Sequence, residues 1–205
     1  MKMIILLAGL FGFTQLTQAQ SVTIRGVRMT GTGCNDSSAW ANTTSDGKTL
    51  SVLFDNLKVD IGNGSSNPQA TSLKKNCRVL IDVEVPNGFQ YGLAQTDYRG
   101  FSALPASAYG LHRFTQIIPG QPIVSAREAQ LKGPIAKDYT VSVIQKPGRV
   151  VFSPCNQRVQ TIELLTELQV AYLPNTKDRS IAQINLDSVD TGVHSTFVMS
   201  WRACK

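Results

Sequence analysis

Apolar and polar residues alternate along much of this chain, with the two-residue period of strands that have one buried and one solvent-facing side. The clearest example is Arg78–Val85, where valine and isoleucine fall on one face and charged residues on the other. Pro86-Asn87-Gly88 follows, and Asn-Gly readily adopts the positive φ angles of a tight turn. Phe89, Tyr91 and Leu93 then alternate again. Together these segments predict a β-hairpin.

Similar patterns predict strands through the rest of the chain, and turn residues separate them at intervals of about 8 to 12 residues, the spacing of sandwiches and barrels. Another hairpin is predicted at Ser45–Lys48, leading into a strand that contains Leu50, Val52 and Phe54. We predict a single antiparallel β-sandwich of about nine or ten strands, with its sheets packed face to face. The remaining predicted strands are Val22–Thr30, Val59–Ile61, Leu111–Ile117, Tyr139–Gln145, Val150–Phe152, Ile181–Leu186 and Val193–Trp201.

The interval Val159–Leu173 fits both a helix and a strand. Its leucines have helical spacing, but its apolar residues also follow a two-residue period that only Thr166 interrupts. Because the rest of the chain is predicted to be β, we favour the strand. Two irregular stretches, Gly62–Asn76 and Pro119–Asp138, are predicted to be loops, and the second has room for a short helix at Ser125–Leu131.

The first 19 residues have the features of a cleavable export signal. A positively charged start precedes the apolar run Ile4–Phe13, which is too short to span a bilayer, and Thr17-Gln18-Ala19 resembles a small-residue cleavage site. We therefore predict a signal peptide at 1–19 and one domain at 20–205. No later apolar run approaches the roughly 18 residues of a spanning helix. We expect a soluble protein secreted to the extracellular space or the periplasm.

Four cysteines lie in the predicted mature chain, an even number, as a disulfide framework requires. Sequential pairing joins Cys34 to Cys77 and Cys155 to Cys204, which ties one loop to one strand end in each half of the chain. We favour it over the nested pairing of Cys34 with Cys204 and Cys77 with Cys155. The spacings do not fit a structural zinc motif, and an exported chain favours disulfides.

Composition and charge limit the function classes. The chain has 205 residues, 42% of them hydrophobic and 17% charged, which excludes a disordered protein. Its formal net charge is +6. The basic residues are scattered singly, with Lys74-Lys75 as the one doublet, whereas nucleic-acid binders cluster them on one surface. We therefore expect no nucleic-acid partner.

Few residues have the pattern of a catalytic or metal site. His112 and His194 are each flanked by alternating strand residues, and no hydrolase, metalloprotease or phosphate-binding motif is present. We expect structural roles for both histidines, no catalytic residue and no cofactor. Asp187 and Asp190 form a weak calcium candidate, although such a run more often makes a turn through Asx hydrogen bonds.

The strongest candidate binding segment combines aromatic rings with an acid and a cation. Such groups bind sugars by ring stacking and by bidentate hydrogen bonds to hydroxyls. The simpler alternative is that the acid and the cation pair with each other while the rings belong to the core. The candidate binding residues are Tyr91, Asp97, Tyr98, Arg99 and Phe101.

Several segments together resemble a secreted bacterial and fungal family known as domain of unknown function 4360. The resemblance runs from about Val27 to Cys204 and implies a small, secreted, disulfide-containing β protein with no established activity. It carries over no catalytic residues. The segments are Gly33–Ser38, Leu50–Gly62, Lys75–Cys77, Val85–Phe101, Ser153–Cys155, Asp187–Asp190 and Trp201–Cys204.

Three functions remain open at this point. We favour a non-enzymatic, exported binding or surface protein, with envelope or wall polysaccharide as its ligand. A carboxylate-based hydrolase or lyase acting on polysaccharide is the second hypothesis, since such an enzyme needs only two acidic side chains across a cleft. A structural envelope or matrix component is the third.

Overall fold

The computed structural model describes residues 23–44, 48–55, 57–146, 148–186 and 195–204. The predicted signal peptide, most of the Ser45–Lys48 turn, His194 and the calcium candidates Asp187 and Asp190 lie outside these residues. The described residues form twelve strands and no helix. The strands are β1 (Thr23–Thr30), β2 (Ala39–Thr43), β3 (Thr49–Phe54), β4 (Leu57–Ile61), β5 (Ser72–Glu84), β6 (Phe89–Leu104), β7 (Ala108–Ile117), β8 (Ser125–Lys132), β9 (Ile135–Ile144), β10 (Val159–Tyr172), β11 (Ala182–Leu186) and β12 (Ser195–Ala203).

The strands form two antiparallel sheets that pack face to face, as the alternating pattern predicts. A five-stranded sheet has the order β1-β5-β10-β7-β8. A seven-stranded sheet has the order β2-β3-β12-β6-β11-β4, with β9 paired to β6. The described residues hold twelve strands rather than the nine or ten expected. Strand β8 was predicted to be a loop or helix, whereas β2, which pairs with β3, is the first strand of the hairpin predicted at Ser45–Lys48. No described residues form a helix that is long and apolar enough to cross a membrane.

The interval that fitted both a helix and a strand is β10, the central strand of the five-stranded sheet. It pairs with β5 on one side and β7 on the other. Its inward residues are buried in the core between the sheets, whereas its outward residues are half-buried. The two-residue period was therefore the correct guide.

Several local predictions were wrong. Neither predicted loop is irregular throughout, since β5 begins at Ser72 inside Gly62–Asn76, and β8 and the start of β9 lie inside Pro119–Asp138. Ser125–Leu131 is not a helix but most of β8, which hydrogen-bonds to β7 and places Glu128 beside Arg113. Pairing with a neighbouring strand outweighs the intrinsic helix propensity of this short segment. Val150–Phe152 forms no strand and contributes one isolated bridge, between Phe152 and Gly92.

The disulfides join Cys34 to Cys77 and Cys155 to Cys204, which is the sequential arrangement. The first ties the loop after β1 to β5 and has both cysteines buried. The second ties the loop before β10 to the end of β12, with Cys155 exposed to solvent. Each disulfide therefore fixes a loop to a neighbouring strand.

Ion pairs cover the outer face of the five-stranded sheet. Most of its exposed arginines contact a carboxylate on a neighbouring strand, such as Arg78 with Glu163 at 2.7 Å and Arg28 with Asp82 at 3.0 Å. A shallow depression of about 340 Å³ lies on this face between Arg78 and Arg113. Because both guanidiniums already pair with glutamates, the depression offers no free cation to a ligand.

Candidate ligand-binding face

Strand β6 carries all five residues of the candidate binding segment but divides them between its two faces. Tyr91 and Tyr98 are buried, with exposed fractions of 0% and 2%. Arg99 is exposed, and Asp97 and Phe101 are half-buried on the same side as Arg99. We call this solvent-facing surface, formed by Asp97, Arg99, Phe101 and the outward residues next to them, the Arg99 face.

The two tyrosines belong to the core between the sheets. The Tyr91 hydroxyl donates to the carbonyl of Thr161 at 3.3 Å. The Tyr98 hydroxyl accepts from Gln116 Nε2 at 3.1 Å, and its ring packs on Phe114 with centroids 4.2 Å apart. Burial raises the pKa of both hydroxyls. Neither ring is placed to stack on a ligand outside the sheet.

A β-bulge explains why the two tyrosines, an odd number of residues apart, share the inner face. Pairing between β6 and β12 shifts at Ala94, where Gln95 lies opposite Val198 and Leu93 opposite Met199. The extra residue reverses the alternation, so Tyr91 and Tyr98 both point inward. The same shift turns Asp97 and Arg99 toward solvent.

Asp97, Arg99 and Phe101 are alternate residues of one strand, so their Cα atoms follow one another at intervals of about 7 Å. Both carboxylate oxygens of Asp97 accept from Gln95 Nε2, at 3.0 and 3.2 Å. Arg99 makes no hydrogen bond or ion pair with any described residue and projects into solvent. The alternative in which Asp97 pairs with Arg99 is thus not seen among these contacts, and the guanidinium is available to a ligand.

Hydroxyl and amide side chains surround the three residues. On the β9 side, Thr140 lies opposite Arg99 and Ser142 opposite Asp97. On the β11 side, Asn185 lies opposite Phe101, and its Oδ1 accepts from the Phe101 amide at 2.7 Å. Sequence reasoning missed these neighbours because it follows one strand and carries no information on which strands adjoin it.

Gly100 allows β11 to approach β6 this closely. A Cβ atom at this position would lie 2.1 Å from the carbonyl oxygen of Asn185 and 2.8 Å from the Tyr139 hydroxyl. Only glycine leaves room for both. The signal was present in the sequence as a glycine inside an otherwise regular strand.

His112 lies in the core and not at a surface site. Its exposed fraction is 0%, its Nε2 is 3.0 Å from Thr166 Oγ1, and its Nδ1 is 3.5 Å from the Tyr139 hydroxyl. The Tyr139 hydroxyl hydrogen is directed to the carbonyl of Asn185 at 3.0 Å. Burial lowers the His112 pKa to about 3, so the ring is neutral. This agrees with the structural role expected from its strand context.

The described residues hold no group of three or more histidine, cysteine or acidic side chains that could bind a metal ion. On the Arg99 face the chemistry comes instead from single groups. One carboxylate, one guanidinium, one aromatic ring and several hydroxyls and amides can bind a hydroxyl-rich ligand, and none is arranged as a nucleophile with its base.

The chain is similar in sequence to an uncharacterized fungal protein and has a low structural similarity to solved structures. An uncharacterized secreted protein of Arthroderma benhamiae is 28% identical over 183 residues, which cover 89% of this chain and 72% of that protein. Among solved structures, TmCBM61 bound to β-1,4-galactotriose has a TM-score of 0.30 at 8% identity, covering 87% of this chain and 89% of that one. A GH31 α-xylosidase of Xanthomonas citri has a TM-score of 0.22 at 11% identity, covering 91% of this chain and 18% of the enzyme.

A family model matches nearly the whole chain, in agreement with the resemblance of its motifs. The match covers residues 20–204, which include every described strand and both disulfides. The chain therefore belongs to the family described as Domain of unknown function (DUF4360).

Proposed function

We propose that this protein is a non-enzymatic, exported module that binds polysaccharide of the cell envelope or wall through the Arg99 face. The observation that carries the proposal is the arrangement of Asp97, Arg99 and Phe101 on one solvent-facing strand surface, with the guanidinium unpaired among the described residues. The two disulfides agree with an extracellular location, where such polymers are found.

Each of the three groups has a distinct part in binding. The half-buried ring of Phe101 offers an apolar surface for the C–H face of a sugar. The Asp97 carboxylate, held by Gln95, accepts hydrogen bonds from sugar hydroxyls. The guanidinium of Arg99 donates hydrogen bonds to sugar oxygens. Because all three stand on a regular strand, the face is formed before the ligand arrives and little ordering is required on binding.

The hydrolase or lyase hypothesis finds less support. A glycosidase needs two carboxyl groups about 5 to 9.5 Å apart. The acidic residues that this face presents on β6 and β9 are Asp97 and Asp138, and the strand register separates them by four residues, about 13 Å along the strands. Binding without cleavage is the better account.

Replacing Arg99 with alanine is expected to weaken glycan binding about tenfold or more, because hydrogen bonds from a charged group contribute about 1.5 to 3 kcal/mol each. Phe101→Ala should have a similar effect through lost stacking. The measurement is a glycan-array and wall-polymer pull-down screen on oxidised protein, followed by calorimetry on the glycan that binds. The screen is run in calcium and in a chelator, which also tests whether Asp187 and Asp190 contribute a calcium site.

Arg127→Ala is the matched control. Arg127 is an exposed arginine on β8 of the other sheet, bonded only to the neighbouring carbonyl of Ala126 among described residues. Its removal changes the net charge equally and should leave binding intact. Equal losses in both variants would mean that general charge, and not the Arg99 face, attracts the polymer. Absence of binding to every glycan would reject the proposal and favour a structural component.

A further inference from the structure

Trp40 is a large aromatic side chain exposed on the outer surface of the seven-stranded sheet. Its exposed fraction is 63%, and it is the one aromatic residue among the strongly exposed large hydrophobic side chains of the described residues. Burying a tryptophan is favourable, since it removes some 150 to 250 Å² from water. Here the ring remains outside although its neighbour Ala41 packs against the core. The core thus gives no reason for a tryptophan at this position.

Trp40 lies on the same side of the seven-stranded sheet as Arg99. Backbone pairing aligns one row across five strands, from Asn42 on β2 through Ser51, Thr196 and Asp97 to Ser142 on β9. Trp40 precedes Asn42 by two residues and Arg99 follows Asp97 by two. Because β2 and β6 run in opposite directions, Trp40 and Arg99 are displaced from this row in the same direction along the strands, and they lie level with each other.

The distance between Trp40 and Arg99 suits a chain of sugars. Three strand intervals separate β2 from β6, which amounts to about 14 Å across the strands. This is longer than one sugar ring and corresponds to several linked units. Strand β2 hydrogen-bonds only to β3 in the part of the chain that the structure describes, so Trp40 lies at the edge of this sheet.

The residues of this surface indicate the charge of the ligand. On β2 and β3 the outward positions are Trp40, Asn42, Thr49, Ser51 and Leu53, none of which is charged. On β6 and β9 the outward charged residues are Asp97, Arg99 and Asp138. Lys58 and Asp60 on β4, which pair with each other at 3.4 Å, add one charge of each sign beside Phe101, so the surface around Arg99 offers no excess of positive charge to a polymer of acidic sugars. Uncharged hydroxyls are the groups that this surface matches.

We propose that Trp40 forms an outer subsite for a linear, neutral glycan that lies across β2, β3, β12 and β6, and that the protein recognises several linked sugars rather than a chain end. The inference rests on the proposed function of the Arg99 face. Phe101 and Trp40 then stack sugars at two separated positions, and Asn42 and Ser51 bond to the hydroxyls next to Trp40.

The test is binding as a function of ligand length. Neutral glucan and mannan ladders, from disaccharide to octasaccharide, are titrated into the parent and the Trp40→Ala variant, with polygalacturonate as the acidic comparison. Parent affinity should rise with length. Trp40→Ala should bind the octasaccharide about tenfold more weakly than the parent and the disaccharide equally well, and Trp40→Phe should recover part of the loss.

The controls separate this inference from the proposed function. Leu173→Ala removes another exposed hydrophobic side chain, 46% exposed and in a loop, and should bind every length like the parent. An unchanged octasaccharide affinity in Trp40→Ala, or the same loss at all lengths, would overturn the Trp40 subsite while Arg99→Ala could still show weakened binding. Binding of polygalacturonate in preference to both neutral ladders would overturn the neutral ligand class alone. If no glycan of any class binds the parent, the proposed function itself fails.

The oligomeric state provides one more check, because an exposed tryptophan on an edge strand is also typical of a contact between protein copies. Size-exclusion chromatography with light scattering on the parent and on Trp40→Ala should give the same mass. A parent dimer that Trp40→Ala converts to a monomer would overturn the subsite and assign the residue to self-association.

Discussion

Lowering the pH from 7.5 to 5 is expected to remove about 2 kcal/mol of folding free energy through His112 alone, a large share of the stability of an ordinary domain. In the unfolded chain a histidine has a pKa near 6.5. Burial among Tyr98, Phe114 and Tyr139 lowers the folded value to about 3. The unfolded state therefore binds a proton in this range that the folded state does not accept.

The sign of the effect follows from that difference. The stabilisation is complete above about pH 6.5, and it is lost progressively as the pH falls toward the folded pKa of about 3. Over the whole interval the loss amounts to about 5 kcal/mol at 1.36 kcal/mol for each unit of pKa difference. The window between pH 7.5 and 5 is the cleaner test because most carboxylates remain ionised there.

Urea unfolding of the parent and of a His112→Gln variant at both pH values measures this contribution. Glutamine is neutral at both and keeps one donor and one acceptor for Thr166 and Tyr139. The variant is expected to be less stable than the parent at pH 7.5 but to lose about 2 kcal/mol less on acidification. His194 and all carboxylates are common to both proteins, so they cancel in the comparison. Equal losses in parent and variant would show that His112 becomes protonated within the folded protein.

The strands could be predicted from the sequence where one face is buried and the pairing is regular. In β5 and β10 the apolar residues follow a two-residue period over their whole length, and the buried side chains are the expected ones. The prediction failed at Ser125–Leu131 because this mostly exposed segment shows no alternation of apolar and polar residues, and its strand conformation depends on hydrogen bonds to β7. Pairing decides such a segment, and pairing is not a local property.

The candidate site could be located on the right strand but not resolved into faces. Tyr98 is adjacent to both Asp97 and Arg99, so alternation alone excludes it from their face. Tyr91 is different, since an unbroken alternation would have placed it beside Asp97 and Arg99. The bulge at Ala94 reverses the alternation of inward and outward side chains along β6, and the residue types next to Ala94 do not indicate a bulge. Trp40 was missed because the surface that it joins to Arg99 is assembled from strands far apart in the chain.

Removing the Cys34–Cys77 disulfide is expected to destabilise the protein by about 4 kcal/mol, the value that chain entropy assigns to a loop closed over 43 residues. Alanine at both positions is the suitable change, because Cys77 is only 1% exposed and a serine hydroxyl would be buried there. The corresponding fall in melting temperature is about 8 to 16 °C. The Cys155→Ala/Cys204→Ala double variant, which opens a loop of 49 residues, is the matched comparison.

The two disulfides should differ in accessibility although chain entropy ranks them as nearly equal. Cys155 is exposed, whereas Cys34 and Cys77 are both buried. A thiolate reductant must reach a sulfur atom, so dithiothreitol should open Cys155–Cys204 in the folded protein and reach Cys34–Cys77 only after unfolding. Alkylation at intervals followed by non-reducing peptide mapping gives both rates. Simultaneous reduction of the two disulfides in native buffer would contradict the burial of Cys34–Cys77. A loss of folding free energy below about 1 kcal/mol in the Cys34→Ala/Cys77→Ala variant would contradict its restriction of the unfolded chain.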